Sequence, residues 1–225
     1  TRCVRVRFGN MMTLENYMDG TKHAVIQLFD SLNYYSKLIE ESMPPDFYGS
    51  MDIDASHDDI AEAFNKYWKE NSEFRDKQDY ANKMGDEYLA TVFAHATICG
   101  SILQVAHMAI SKFSTYDGEC LVLTEKYKRF GIGREVNNIP LGLVIYAGRN
   151  QYNHWDENAK LKTKEIFDFI ATKNGALNYK DPCFDLEHEK LKIYSHNILG
   201  LIGWKIYEDY EKDILDMLSK FEEEA

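Results

Sequence analysis

Apolar residues recur along this chain with the 3.6-residue period of helices that bury one face. Val25, Leu28, Phe29, Leu32, Tyr35 and Ile39 mark one such stripe. It predicts a helix from about Thr21, whose hydroxyl can cap it, to Ser42, with Pro44-Pro45 as the stop. A second helix is expected from about His57 to Asn71, turning Ile60, Phe64 and Tyr67 inward. The third and longest runs from about Asp79 to Phe113. Leu89, Val92, Phe93, Ala96, Cys99, Leu103, Ala106, Ile110 and Phe113 keep helical spacing through it. The run from Ile139 to Ala147 is apolar on every side and reads as a buried helix, opened by Asn138 and Pro140. A helix from about Asn158 to Lys173 stops at Asn174-Gly175. The last spans about Ser195 to Phe221, with Leu199, Ile202, Ile206, Tyr210, Ile214 and Leu218 inward.

Strand signals are few. Residues 2–8 alternate polar and apolar up to Gly9-Asn10, and Cys120 to Leu123 is short and β-rich. Glu222 to Glu224 read as a solvated, frayed end. The pattern specifies an all-α helical bundle with small extended or strand additions. Its organisation is a strand-like segment over 1–12, which can be the remnant of a larger chain, followed by a helical domain over 13–225.

Composition narrows this picture. The chain has 225 residues, 44% hydrophobic and 13% aromatic, enough to bury a sizeable core. Its net charge of −11 argues against a general nucleic-acid coat but leaves room for a small basic site. Cys3, Cys99, Cys120 and Cys183 are far apart and form no CxxC or CxxH spacing, so no metal site is expected from them. Two of them sit in apolar stretches, which suits reduced thiols and a cytoplasmic setting. No uninterrupted run of 18 apolar residues occurs, so no membrane partner is expected. Asp52-x-Asp54-x-Ser56 imitates the start of a calcium loop, but His57 and Ala63 stand where glycine and glutamate are needed. His95 and Cys99 share a helical face, and a lone pair in an apolar helix is ordinarily core.

One segment carries candidate chemistry: Arg149-Asn150-Gln151-Tyr152-Asn153-His154, at the end of the buried run. Arginine is a permanent cation for a phosphate, histidine moves protons near neutral pH, and asparagine can orient either one. Five residues at roughly 100° each leave Arg149 and His154 about 140° apart on an ideal helix. Hence the helix ends or bends between them, or a second copy completes the site. Asn150 and His154, four apart, share a face, which makes Asn150 an orienter of the imidazole. Gly148 permits close approach of a substrate or a second helix. As structure alone, Arg149 would be a surface ion-pair partner and His154 a C-terminal cap.

The order Arg-Asn-x-x-x-His resembles the signature of HEPN domains, many of which are metal-independent endoribonucleases of toxin, abortive-infection and antiviral systems. The likeness covers this motif, its helix and the all-helical context. It implies a HEPN-like bundle that cleaves single-stranded RNA without a cofactor, leaving 2′,3′-cyclic phosphate and 5′-OH ends. It implies Arg149, Asn150 and His154 as the catalytic residues, a homodimer facing through the motif helix, and a possible antitoxin or regulatory partner. Some relatives of that type carry a tyrosine two positions after the histidine. Here that position is Asp156, which removes regulation through it.

Just before the motif helix lies the most basic stretch, Lys126 to Arg134. Lys126, Lys128, Arg129 and Arg134 are candidate RNA-phosphate contacts, with Tyr127 or Phe130 available to stack on a base. The bland alternative is a solvated loop balanced by the acidic remainder. The rival to the enzyme is a non-catalytic HEPN-like module that dimerises, binds nucleotides or serves as a scaffold.

Overall fold

The computed structural model describes residues 12–46, 55–118, 125–157, 161–172, 179–187 and 193–221. The strand expected over 2–8, the Cys120 to Leu123 run and the acidic end lie outside them. The fold is all-α, with one very small antiparallel hairpin among the described residues. The helices are α1 (Leu14–Ser42), α2 (His57–Glu70), α3 (Ser72–Phe113), α4 (Leu141–Asn153), α5 (Leu161–Ala171), α6 (Ser195–Ile202) and α7 (Tyr207–Leu218). A 3-10 helix covers Glu125–Phe130, and the hairpin pairs β1 (Glu135–Val136) with β2 (Ile139–Pro140).

The chain gathers into two compact units, Thr1–Asn33 with Ala96–Ala225, and Tyr34–His95.

The larger unit is built on α4. Leu141 through Gly148 are all buried, so the helix touches protein on every side. Leu141, Leu143, Val144 and Ile145 are completely inaccessible, each contributing roughly 1.5–3 kcal/mol of burial. Two backbone donors at the α4 N-terminus find loop carbonyls: Leu141 N–H donates to Arg134 O at 2.9 Å and Gly142 N–H to Ile132 O at 3.0 Å. Asn137 and Asn138 make the hairpin turn with φ of 51° and 62°, the conformation two-residue hairpins require and asparagine tolerates. The sequence reading took Asn138 as a helix-start signal. It is a turn residue, and Pro140 immediately precedes the helix.

Other differences have equally local causes. Helix α1 begins seven residues earlier than Thr21, because Thr13 caps it: Thr13 Oγ1 accepts from Asn16 N–H at 3.1 Å. Thr21 sits mid-helix and donates back to Tyr17 O at 2.8 Å. The expected single C-terminal helix is two helices. Gly203, at φ 81°, ends α6 in the left-handed region, and Ile206 is exposed in the connection.

An ion pair between the exposed Arg134 and the buried Asp213 holds that connection. Asp213 on α7 accepts from Arg134 Nε at 3.0 Å and Nη2 at 2.9 Å, and from Trp204 Nε1 at 2.7 Å. Arg134 Nη2 also donates to Ile202 O at the end of α6.

In the smaller unit, Ser56 and Asp59 form a capping box at the start of α2. Phe74 is buried against the rings of Phe64, Tyr67 and Trp68. The inward stripe predicted for α2 is only partly covered, since Ile60 and Phe64 remain exposed. Leu89 and Phe93, which share the helical spacing of the α3 stripe, are 74% and 56% exposed, whereas Ala96, Cys99, Leu103, Ala106 and Ile110 are buried. Periodicity reports a helical face, not whether a partner covers it. Glu87–Phe113 is long and apolar enough to cross a bilayer by length and composition, contrary to the estimate from uninterrupted runs. A core helix passes the same test, and its Ala96 to Ile110 part supplies core residues of the larger unit.

Gly148 uses its missing bulk where the motif helix meets α6 and α3. A Cβ there would lie 2.8 Å from Ile198 Cγ2 and 3.0 Å from Leu103 Cδ1, so the space it leaves is filled by α6 and α3. Gly148→Ala is expected to cost about 1–3 kcal/mol of overpacking, read as a lower urea midpoint with unchanged helical content. An unchanged midpoint would mean that α6 is not held this close.

Candidate functional site

The first polar side chain to leave the buried part of α4 is Arg149. Its Nε donates to Gln104 Oε1 on α3 at 2.7 Å, and its Nη1 donates to Asn150 Oδ1 at 3.1 Å. With its amide turned to face the guanidinium, Asn153 accepts from Nε at 2.9 Å and from Nη2 at 3.2 Å. These acceptors are neutral amides. They fix the orientation of the guanidinium without neutralising it.

Asn150 therefore serves the arginine. The sequence reading paired it with the imidazole, but its side chain bonds Arg149, and it meets His154 through its backbone carbonyl, which accepts from His154 N–H at 3.1 Å. Helix α4 ends at Asn153, and His154 follows as its C-cap with φ −130° and ψ 33°. The chain thus ends its helix between the two motif residues. The His154 side chain is 36% exposed. Its Nδ1 is shielded from solvent and lies 3.1 Å from Glu157 Oε2, without the alignment of a hydrogen bond.

Arg149 opens onto a pocket of about 650 Å³ between α1, α3 and α4, all within the larger unit. His154 does not line it; His107 does. The His107 ring stacks on Phe130 with centroids 4.9 Å apart, and its Nδ1 lies 3.4 Å from Ser111 Oγ. Burial, and then the charge of Arg149, push His107 down to about 4, so it is neutral at pH 7. Lys112 stands at the rim, its Nζ 3.1 Å from the Met12 sulfur. Among the described residues no carboxylate lines this pocket, in a chain whose net charge is −11.

Gln104, His107 and Ser111 escaped the sequence reading. A signal was present: they sit at i, i+3 and i+7, a polar stripe on the mostly apolar C-terminal part of α3. Among the described residues, no group of three or more His, Cys, Asp or Glu side chains is placed to hold a metal ion.

The basic stretch divides. Arg134 is committed to Asp213 and Ile202, which makes it a structural residue and not the phosphate contact the sequence suggested. Arg129 is exposed and donates from Nη1 to Ser111 O at 2.9 Å. Lys128 is half-buried. Lys126 lies on the 3-10 helix, and its side chain is outside the described set. Phe130 is buried under His107, so it cannot stack on a base. Tyr127 packs against Tyr146 at 4.8 Å.

Compared with known proteins, the chain matches no family model, no curated protein and no solved structure. The functional reading therefore rests on the site itself.

Two measurements check this geometry. Arg134→Ala should cost about 2 kcal/mol of stability, since it strands a buried carboxylate, and leave the salt dependence of RNA binding unchanged. The pair Lys128→Ala and Arg129→Ala should do the reverse, lowering the salt slope by about 0.7 per lost phosphate contact. Urea unfolding and anisotropy titrations read the two effects, and exchanged outcomes would reverse the assignment. The second concerns pH. An ordinary histidine protonates near 6.5, and folded His107 near 4. Between those values the unfolded chain holds the extra proton, so stability falls as pH is lowered through that window and is fully retained above it. Wild type should lose stability more steeply from pH 6.5 to 4 than His107→Gln. Parallel curves would show that the imidazole is not buried uncharged.

Proposed function

We propose that the chain is a metal-independent, HEPN-like endoribonuclease acting on single-stranded RNA. The observation that supports this reading is Arg149: among the described residues, a guanidinium oriented by the neutral amides of Gln104 and Asn150, with no ion-pair partner, facing an opening without carboxylates. Such a cation holds a phosphate in the ground state and stabilises it further as charge builds in the phosphorane. His154, at the end of the same helix, is the proton-transfer group. It takes the proton of a ribose 2′-OH. The 2′-oxygen attacks its own phosphorus, the bond to O5′ breaks, and O5′ receives a proton from a second imidazole or from water. A 2′,3′-cyclic phosphate and a 5′-OH result. DNA, lacking the 2′-OH, is inert.

Because Arg149 and His154 diverge at the end of α4, the reading includes a second copy of the chain. Facing α4 ends bring the Arg149 of one copy toward the His154 of the other. The rival reading is a nucleotide-binding or dimerising module without cleavage. It is favoured by one observation, that His154 does not line the pocket onto which Arg149 opens.

Purified protein is expected to cleave single-stranded RNA in EDTA, with cyclic phosphate ends identified by mass spectrometry and a scattering mass of about twice the chain. His154→Ala should lower the rate by roughly 10²-fold or more, and Arg149→Ala should depress turnover at saturating RNA more than binding. Cleavage that survives His154→Ala, or that requires added metal, overturns the mechanism. RNA binding by the wild type without any cleavage favours the rival.

A further inference from the structure

The pocket beside Arg149 offers more than an anion site. Its walls include the Tyr17 ring and the side chains of Met12 and Met108, flat or soft apolar surfaces. The Tyr17 hydroxyl donates to Val105 O at 2.9 Å and the Thr21 hydroxyl to Tyr17 O, so neither has a donor left for a ligand. The polar groups differ in kind. The Asn16 amide, the Ser111 hydroxyl and the neutral imidazole of His107 supply donors and acceptors together. An aliphatic anion would satisfy Arg149 but make no use of these groups, of which His107 and Ser111 already face each other at 3.4 Å. A heteroaromatic ring, with apolar faces and an edge of mixed donors and acceptors, suits both sets.

We propose that this pocket binds one nucleotide unit, its phosphate on Arg149 and its base between Tyr17 and the methionines, with Asn16 and Ser111 reading the base edge. A volume of about 650 Å³ falls in the range of small-ligand pockets and admits a nucleoside monophosphate. The assignment rests on Arg149 being the phosphate-binding cation of the proposed nuclease, and it adds the subsite for the base next to the bond that is cut. Lys112 at the rim and the absence of acidic lining groups among the described residues favour the negative charge of the sugar-phosphate backbone.

Gly20 provides the test. It lines the pocket from α1, and a Cβ built there meets nothing within 4 Å. Gly20→Leu therefore starts its side chain in open space at the pocket wall and replaces a poor helix former by a good one. Titration calorimetry on the full chain should show uridine or adenosine 3′-monophosphate binding at least tenfold more tightly than ribose 5-phosphate or inorganic phosphate. Gly20→Leu should weaken that binding at least tenfold while thermal unfolding stays level or rises, and Arg149→Ala should weaken it comparably. Met108→Trp, which narrows the pocket from α3, is the second variant should Gly20→Leu fail to fold.

Equal affinity for phosphate and nucleotide would reduce the pocket to an anion site and overturn the proposal. So would full nucleotide binding by both filled variants, or octanoate competing as well as the nucleotide. The RNA-cleavage assay in EDTA is read separately. Cleavage without mononucleotide binding removes the base subsite and leaves the nuclease. Mononucleotide binding sensitive to Gly20→Leu, without cleavage, keeps the pocket and removes the nuclease.

Discussion

Burial of α4 on all sides is the constraint from which the larger unit follows. A helix with apolar residues around its whole circumference has no solvent face, so other elements must enclose it. Helices α5 and α6, the 3-10 helix and the hairpin pack around it. Gly148 lets α6 come close, and the carbonyls of Ile132 and Arg134 accept from amides at the helix start. The helix can meet water only at its C-terminal end. Arg149, Asn150 and Asn153 emerge there on a rigid element, which is where a charged group must be placed if it is to hold a geometry.

Two arginines of this unit make the point about charge. Arg134 and Arg149 are both held by several hydrogen bonds. Arg134 meets a carboxylate, so its charge is cancelled locally and its role is to lock the α6–α7 connection. Arg149 meets amide oxygens, so its charge persists beyond its partners. Its field reaches His107, where it adds to burial in keeping the imidazole neutral. A cation oriented by dipoles and left unneutralised is what an anionic ligand requires.

The motif residues occupy one helix end yet point into different surroundings. Arg149 turns to α3 and the pocket, while His154, past the last helical turn, lies against Glu157. Helical geometry imposes this divergence, and the break at Asn153 sets how far it goes. The composite site proposed across two copies would turn the divergence into a working pair.

The sequence by itself determined the all-α class, the buried run before the motif, and the divergence of Arg149 and His154. Each follows from local periodicity and helix geometry, which need only neighbours in the chain. It also located the stops at Pro44-Pro45 and the close approach at Gly148. It misplaced the start of α1, because Thr13 and Thr21 are equally able caps and only the structure decides which one faces free amides. It placed Leu89 and Phe93 on one apolar stripe with the buried residues and Arg134 among the candidate phosphate contacts, since spacing gives a face but not its covering, and charge gives a sign but not a partner. The break at Gly203, the service of Asn150 to the arginine, and the joining of Gln104, His107 and Ser111 with Arg149 were decided by tertiary structure alone. They depend on residues from separate helices meeting, and the Arg149–Gln104 bond spans 45 positions of chain.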